Sequence, residues 1–251
     1  MSAGSILTPG TIALVVGASS GIGEAVARQL AERGCRVILA SRRHATLEAL
    51  NAKLKTPGYV VELDVADPQS TESLLGRLPA GWRDIAIMVY ATGHDIGGRE
   101  RFDRRPDRTW LDIIEANLNG AIRLCRLVVP GMLGRGAGHI VNIGSIAGTR
   151  AVAGEAAYNA SKFGLHGLSE ALRIDFRGTG VRVTEVLPGL VRTNFAETRW
   201  GDAKKAEAFY GQTADPLVAD DVARSVVFAL DQPPHVSVSQ IYIEPSAPPK
   251  S

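Results

Sequence analysis

Short apolar runs alternate along this chain with longer segments whose apolar residues recur every three or four positions. The first run predicts a strand over 11–16, and glycine-rich residues follow it directly. Ile22, Val26, Ala27 and Leu30 then share one face of a helix predicted over 22–33, which Gly34 ends. A second apolar strand over 35–40 leads to a helix over 44–54 with Leu47, Leu50 and Leu54 on one side. A third strand over 58–63 precedes Asp64, with a helix over 68–78 and a fourth strand over 85–90. A long helix is predicted over 106–133, kinked or ended by Pro130. Strand 137–143, helix 157–177, strand 181–187, helix 220–230 and a final strand 236–243 complete the series. This alternation argues for βαβ units on a parallel sheet. Strands covered on both faces explain why the apolar runs are continuous rather than alternating. No linker interrupts the pattern, so one domain over 1–251 is expected, ending in a polar tail over 246–251.

Composition narrows the field. The chain has 251 residues, and 45% of them are apolar, enough to bury a full core, so disorder is excluded. Twenty-eight lysines and arginines against 26 acidic residues leave a net charge of +2, no basis for broad capture of nucleic acid, although a local patch stays open. Two cysteines, Cys35 and Cys125, cannot form a disulfide framework and are too few for an ordinary zinc site; small buried hydrophobes are expected. Residues 1–9 do not read as a signal peptide, and no run approaches the length that crosses a bilayer. A reducing cytoplasm is the expected location.

The first βα junction reads Gly17-Ala18-Ser19-Ser20-Gly21-Ile22-Gly23. A strand-ending glycine permits a tight turn, and the later glycines let backbone and helix approach a pyrophosphate, which the free amides of the helix start then bind. No lysine follows the last glycine, so this is not a P-loop. Packing alone is the competing explanation of the glycines. The second strand ends in Ser41-Arg42-Arg43, where an NAD-selective site commonly carries Asp or Glu. Arginine forms charge-assisted hydrogen bonds with a 2′-phosphate that a carboxylate would repel. The expected cofactor is therefore NADP, with Arg42 as the main contact and Ser41 or Arg43 in support, unless the pair is a solvated helix start. Asp64 and Val65 are placed to offer a carboxylate to the adenine amino group and an aliphatic wall to its ring; Asp64 would serve equally as a helix cap.

Ser145 follows the fifth strand, Tyr158 comes thirteen residues later, and Lys162 lies one helical turn beyond. A spacing of four puts Tyr158 and Lys162 on one face, about 6 Å apart along the helix axis. A phenol titrates near 10, about three units too high for an anionic base at neutral pH. A cation about 4 Å away in an effective dielectric of about 20 supplies roughly the 4 kcal/mol needed. A lone Tyr-x-x-x-Lys pair is most often an ordinary helix contact; the upstream serine and the dinucleotide turn change that reading. Asn117 is a candidate for a buried proton path, with Asn119 its nearby competitor. No persuasive metal cluster is present.

Taken in order, Gly17 to Gly23, Asp64, Asn117, Ser145, Tyr158, Lys162 and Pro188-Gly189 resemble the short-chain dehydrogenase/reductase family over nearly the whole length. The resemblance implies a doubly wound, Rossmann-type domain with a seven-stranded, mainly parallel sheet and helices on both faces. It implies a catalytic tetrad of Asn117, Ser145, Tyr158 and Lys162. Tyr158 would donate or accept the proton, Lys162 would bind the nicotinamide ribose and lower the tyrosine pKa, and Ser145 would orient the carbonyl or alcohol. Asn117 would hold a water through its main chain. Pro188, Gly189, Val191 and Thr193 look like the family's nicotinamide-contacting segment, and Ala91 and Gly93 its cofactor-pocket wall. Two departures stand out. Ser20 takes a position often basic in the NADP-preferring branch, and Tyr90-Ala91-Thr92-Gly93 replaces the usual Asn-Asn-Ala-Gly.

Residues 190–218 are expected to form a substrate lid. Its Phe195, Trp200, Phe209 and Tyr210 would close over an organic substrate, or else serve the core or a subunit contact. His94, Ile96, Ala153 and Glu155 are candidate pocket walls, with the remaining histidines expected at the surface. The carboxyl end looks like the branch of NADP-dependent 3-hydroxy acid dehydrogenases and related serine or clavulanic-aldehyde oxidoreductases. The expected activity is NADP-dependent hydride transfer with a small polar carbonyl or secondary alcohol. A secondary-metabolite ketone or aldehyde reductase, an epimerase or dehydratase, and a non-catalytic NADP-binding regulator are the alternatives. The family resemblance also implies a homotetramer or homodimer associating through the long helices.

Overall fold

In the computed structural model the described residues are 4–104, 107–211 and 213–247. The predicted helix start at Pro106, Gln212 of the expected lid, the first three residues and tail positions 248–251 lie outside them. The first half alternates β1 (Ile12–Val16), α1 (Gly21–Glu32), β2 (Arg36–Ser41), α2 (His44–Asn51) and β3 (Tyr59–Glu62). Two short helices, α3 (Pro68–Glu72) and α4 (Leu74–Arg77), precede β4 (Ile87–Tyr90). Helix α5 (Asp107–Ile114) runs through a π-helical turn, Glu115–Asn119, into α6 (Gly120–Arg135), followed by β5 (Gly138–Ile143). Then come α7 (Ala156–Asp175), β6 (Val181–Pro188), β7 (Val191–Arg192), α8 (Phe195–Trp200), α9 (Ala203–Tyr210), β8 (Leu217–Val218), α10 (Ala219–Leu230) and β9 (Gln240–Ile243).

Seven strands form one sheet in the order β3-β2-β1-β4-β5-β6-β9, every neighbouring pair parallel. The chain order reverses between β1 and β4, the place where open parallel sheets bind ligands. Register keeps the strand ends level: Val16 pairs with Ala40 and Tyr90, Tyr90 with Asn142, and Ile143 with Val186. The residues after β1, β2, β4, β5 and β6 therefore line one edge.

Alternation within β1 divides the core. Leu14 and Val16 pack with Ile38, Met88, Leu124 and Leu165 on one face, while Ala13 and Val15 pack with Val26, Leu30, Val222 and Val226 on the other. Each of the valine, leucine, isoleucine and methionine side chains, fully buried, contributes roughly 1.5–3 kcal/mol relative to exposure. The half-exposed pairs joining α1 to α10, Arg28–Asp220 at 3.2 Å and Arg33–Asp231 at 3.0 Å, add little beside that packing.

Four sequence expectations are corrected. The helix expected over 68–78 is split at Ser73 into α3 and α4. Pro130 sits inside α6, which ends only at Gly136 in a left-handed cap, φ 63°. The last strand is confined to Gln240–Ile243, because side chains of β6 claim the preceding carbonyls. Arg182 donates to Gln232, Pro233 and Val236, and Thr184 to Val238. Finally, the histidines are not all superficial. His139 is fully buried on β5, 2.8 Å from the Thr184 hydroxyl, and His166 is partly buried against Glu185.

Burial drives the His139 pKa down to about 3, with the Arg182 charge acting in the same direction. Below pH 6.5 the unfolded chain takes up a proton there that the folded protein refuses until about pH 3. Stability therefore falls on acidification through that window, by at most about 1.4 kcal/mol per pH unit from this group. Urea melts from pH 6.5 to 5 should show wild type losing about 1–2 kcal/mol more than His139→Gln; equal losses would remove His139 as the cause.

Candidate active site

At the first junction Gly17 turns with φ 86°, its N–H on the Ala40 carbonyl at 2.8 Å. A methyl on Gly23 would lie 2.2 Å from the Gly17 carbonyl oxygen, so only glycine lets α1 start this close to β1. Ser20 caps α1 in extended conformation with no side-chain hydrogen bond to the first turn, leaving the amides of Gly21, Ile22 and Gly23 for an anion. Arg43 reaches across from the start of α2: its Nε and Nη2 donate to Ser19 Oγ at 3.1 and 2.8 Å, and Nη2 to Ser20 Oγ at 2.6 Å. The Ser41 hydroxyl accepts from the Arg43 N–H, while Arg42 stands exposed on the cleft wall. Asp64 Oδ1 accepts from the Ala66 N–H at 3.0 Å, a local turn bond, and Val65 adds an apolar wall.

Across the edge, Tyr158 and Lys162 lie on the buried face of α7. Lys162 Nζ donates to the Ile143 carbonyl at 2.9 Å and stands 5.8 Å from the centre of the Tyr158 ring. Ser145 follows β5 in extended conformation, its hydroxyl accepting from the Ala147 N–H. Asn117 lies in the π turn, an irregularity common at functional sites. Its Oδ1 accepts from the His94 N–H, and Nδ2 donates to the His94 carbonyl and to Ser161 Oγ, at 2.9, 3.0 and 3.0 Å. The competitor Asn119 turns away and donates to Glu115 at 2.6 Å. Gly93 fits between: a methyl there would lie 3.4 Å from both Asn117 Oδ1 and Lys162 Nζ.

Burial dominates the titration of this pair. It pushes the Tyr158 phenol up to about 12, against a hydrogen bond from Ser145 and the positive charge of Arg199; the carboxylates of Glu155 and Asp95 push it further up. Burial also brings Lys162 down to about 8, opposed by Glu185. The phenol is thus protonated at neutral pH. The cation that lowers it is Arg199, which carries no local sequence signal, and not Lys162 as expected, whose ammonium is turned to the Ile143 carbonyl.

Arg199 enters from α8. Its guanidinium pairs with Asp95 at 3.1 Å and Glu155 at 2.9 Å, and Glu155 also holds Arg99 at 2.7 Å. Asp95, Glu155 and Arg199 are all buried, and the guanidinium is walled by the rings of Tyr158, Phe195, Trp200 and Phe209 within 5.8 Å. The aromatics of 190–218 therefore pack within this chain, and Phe195, Phe209 and Tyr210 also line the cleft. The Tyr210 hydroxyl fixes the Thr193 backbone, donating to its carbonyl at 2.7 Å, and a methyl on Gly21 would touch the Thr193 side chain. His94, Ile96 and Glu155 border the cleft as expected, but Val152 does so in place of Ala153, which points outward. A spaced run of single charges on loops and short helices gave no sequence signal for this ion cluster.

Tyr90 explains one departure. Its ring is fully buried at the end of β4, and its hydroxyl donates to the Ala116 carbonyl in the π turn. A methyl on Gly120 would lie 2.6 Å from that hydroxyl. The tyrosine thus anchors the backbone beside Asn117.

One cleft of about 1210 Å³ is bordered by Gly17, Ser19, Ser20, Gly21, Ile22, Ser41, Arg42, Arg43, Asp64, Val65, Ala91 and Gly93 at one end. Ser145, Tyr158, Lys162, Pro188, Gly189, Val191 and Thr193 border the other. Gly23 stands behind it, against Gly17. The profile of the family described as short chain dehydrogenase matches residues 11–204. The chain belongs to that family. It is similar to the "NADP-dependent 3-hydroxy acid dehydrogenase YdfG" of Salmonella typhimurium, 39% identical over 93% of this chain and 94% of that one, and to its counterpart from Escherichia coli K12, 38% identical over the same shares. Among solved structures it is similar to the closed form of serine dehydrogenase complexed with NADP+, 37% identical, covering 94% and 95% of the two chains with a TM-score of 0.90. A single-site variant of actinorhodin polyketide ketoreductase with NADPH is 31% identical over 93% and 95%, TM-score 0.83. This family member is an NADP-dependent oxidoreductase. Among the described residues no metal-binding cluster is found, and no helix is long and apolar enough to cross a membrane.

Tyr90→Phe leaves the Ala116 carbonyl buried without its donor, at a cost of about 1–3 kcal/mol. Denaturant unfolding should show that loss, with weaker NADPH binding as the turn beside Asn117 loosens; unchanged stability would mean the hydroxyl is dispensable.

Proposed function

We propose that this oxidoreductase interconverts a small polar carbonyl compound and the corresponding secondary alcohol, with Tyr158 as the acid or base. The observation that carries this reading is the continuity of the cleft from the Gly17 turn to Tyr158. NADP(H) supplies the hydride donor or acceptor when bound. Gly17, the Ser19–Gly23 amides and Arg43 would hold its phosphates, Arg42 with Ser41 its 2′-phosphate, and Asp64 and Val65 its adenine. Ala91, Gly93, Pro188, Gly189, Val191 and Thr193 would seat the nicotinamide half.

The neutral Ser145 hydroxyl donates to the substrate oxygen without adding charge to a dry site. Tyr158, protonated at neutral pH, delivers its phenolic proton to that oxygen in reduction and recovers one in oxidation. Lys162 stabilises the resulting phenolate and positions the ribose. Asn117, fixed through its side chain to His94 and Ser161, would hold a water of the proton path through its main chain. The polar cluster of Asp95, Arg99, Glu155 and Arg199 beside Tyr158 favours a small polar substrate. The ketoreductase likeness supports a second reading, reduction of a larger secondary-metabolite ketone or aldehyde.

Residues 190–218 would act as the lid of a single domain over 1–251. Exposed Leu111 on α5 with Phe163 and Ile174 on α7 supports association into a homotetramer or homodimer through these helices. Cys35 and Cys125, both buried and unpaired by disulfide, suit a reducing cytoplasm.

Two measurements test this reading. In a screen of carbonyls and alcohols followed by nicotinamide absorbance, Tyr158→Phe should lower kcat by about 10²–10⁴ while NADPH affinity changes little; retained turnover would sink the acid–base role. Arg42→Ala should weaken NADPH binding by roughly 10-fold or more and leave NADH binding nearly unchanged, as loss of a charge-assisted bond to a 2′-phosphate requires; equal effects on both would reassign Arg42.

A further inference from the structure

Behind the catalytic lysine lies a carboxylate that the reaction scheme does not use. Glu185, central in β6, is fully buried in a parallel sheet, where an acidic side chain is costly unless something answers its charge. One oxygen is held: His166 Nδ1 lies 2.7 Å from Oε2. The other, Oε1, is buried with no hydrogen-bond partner among the described residues. That oxygen sits over Gly144, where an added methyl would be 2.5 Å from it. The preceding carbonyl, Ile143, is the one that Lys162 Nζ grips. Glu185 and Lys162 thus flank the same short stretch of backbone, one residue before Ser145. Lys162 borders the cleft, whereas Glu185 does not.

The helix supplies the rest. Tyr158, Lys162 and His166 follow one another at intervals of four on α7, so the imidazole continues the catalytic stripe away from the cleft. The His166 side chain is 24% exposed and Glu185 is 0% exposed, so the imidazole connects the buried carboxylate to the surface. Other groups around Glu185 are Asn142 and Ser169, which bond each other at 2.9 Å; Gln240, in register on β9; and Arg173 on α7, with Glu170 beside it. Around Lys162 stand Tyr158, Asn117 and the Gly93 backbone. Arg173 is the further cation acting on the carboxylate, and Lys162 is the one buried with it.

We propose that Glu185 is a positioning residue for Lys162: its carboxylate, oriented by His166, keeps the lysine ammonium charged and aimed at the cleft from outside it. The assignment rests on the reading of Lys162 as a member of the site. The electrostatics run in the required direction, since burial lowers Lys162 and Glu185 is the charge that opposes it. Burial likewise raises the Glu185 carboxyl, opposed first by His166 and then by Lys162, so the two buried groups sustain each other's charge.

The chain has six lysines, so a pH titration of protein labelled with ¹³C at the lysine ε-carbon, assigned by Lys162→Met, reads this residue directly. Wild-type Lys162 should titrate near about 8. Glu185→Gln should lower that midpoint by on the order of one pH unit, as loss of a nearby opposite charge requires. The pH at which NADPH affinity declines should move down with it. His166→Leu, which removes the imidazole from a partly exposed position, should shift Lys162 the same way by less, and His166→Gln, which can still donate to the carboxylate, should restore it. An unmoved Lys162 in folded Glu185→Gln overturns the proposal; if that variant does not fold, an unmoved Lys162 in folded His166→Leu does so. An enzyme that turns over no carbonyl or alcohol would defeat the functional reading and leave this titration to stand on its own.

Discussion

The hydrogen bond from Lys162 to the Ile143 carbonyl joins helix α7 to the carboxyl end of the central sheet, and the geometry of the candidate site follows from that joint. Strand β5 delivers Ser145, helix α7 delivers Tyr158, and the lysine fixes the distance between the two elements. Glycines at 144 and 148 keep the neighbouring backbones close: an added methyl would lie 2.5 Å from Glu185 at the first and 2.8 Å from the Lys162 carbonyl at the second, whereas at Gly93 it would make ordinary contact with the lysine. Burying the ammonium there weakens its hold on its proton. Most of what surrounds it, including the Glu185 charge, bears on that cost.

The same logic organises the opposite wall. Arg199, Asp95 and Glu155 are removed from water together, which costs several kcal/mol per ion before their mutual attraction is counted. A buried ion cluster of this kind is often matched in stability by well-packed apolar side chains, so its presence is weak evidence of a stabilising role. What it does supply is a fixed relation between α8, the loop carrying Asp95 and the start of α7, with a positive charge held near the Tyr158 ring. Position and electrostatics are set by one set of contacts.

Tyr90 shows how a departure from a family pattern is absorbed. The phenol crosses from the end of β4 to a carbonyl of the π turn, and Gly120 leaves room for it. Asn117, one residue beyond that carbonyl, bonds through its side chain to His94 and Ser161.

The sequence alone carried the βα alternation, the parallel sheet, the glycine turn, the arginines after β2 and the Tyr158–Lys162 pair, because each is local: a period, a turn or a spacing of four along one helix. It misplaced what depends on distant competition for hydrogen bonds. The last strand begins at Gln240 because Arg182 and Thr184, more than fifty residues earlier in the chain, take its expected carbonyls. The burial of His139 and His166 has no local signal, because each has its partner on strand β6, distant in the chain. Arg199 and Glu185 were legible only as charges. Whether a charge is solvated or enclosed is set by which elements pack around it, and that is decided by tertiary structure, since desolvation and pairing act through space and leave no period in the chain.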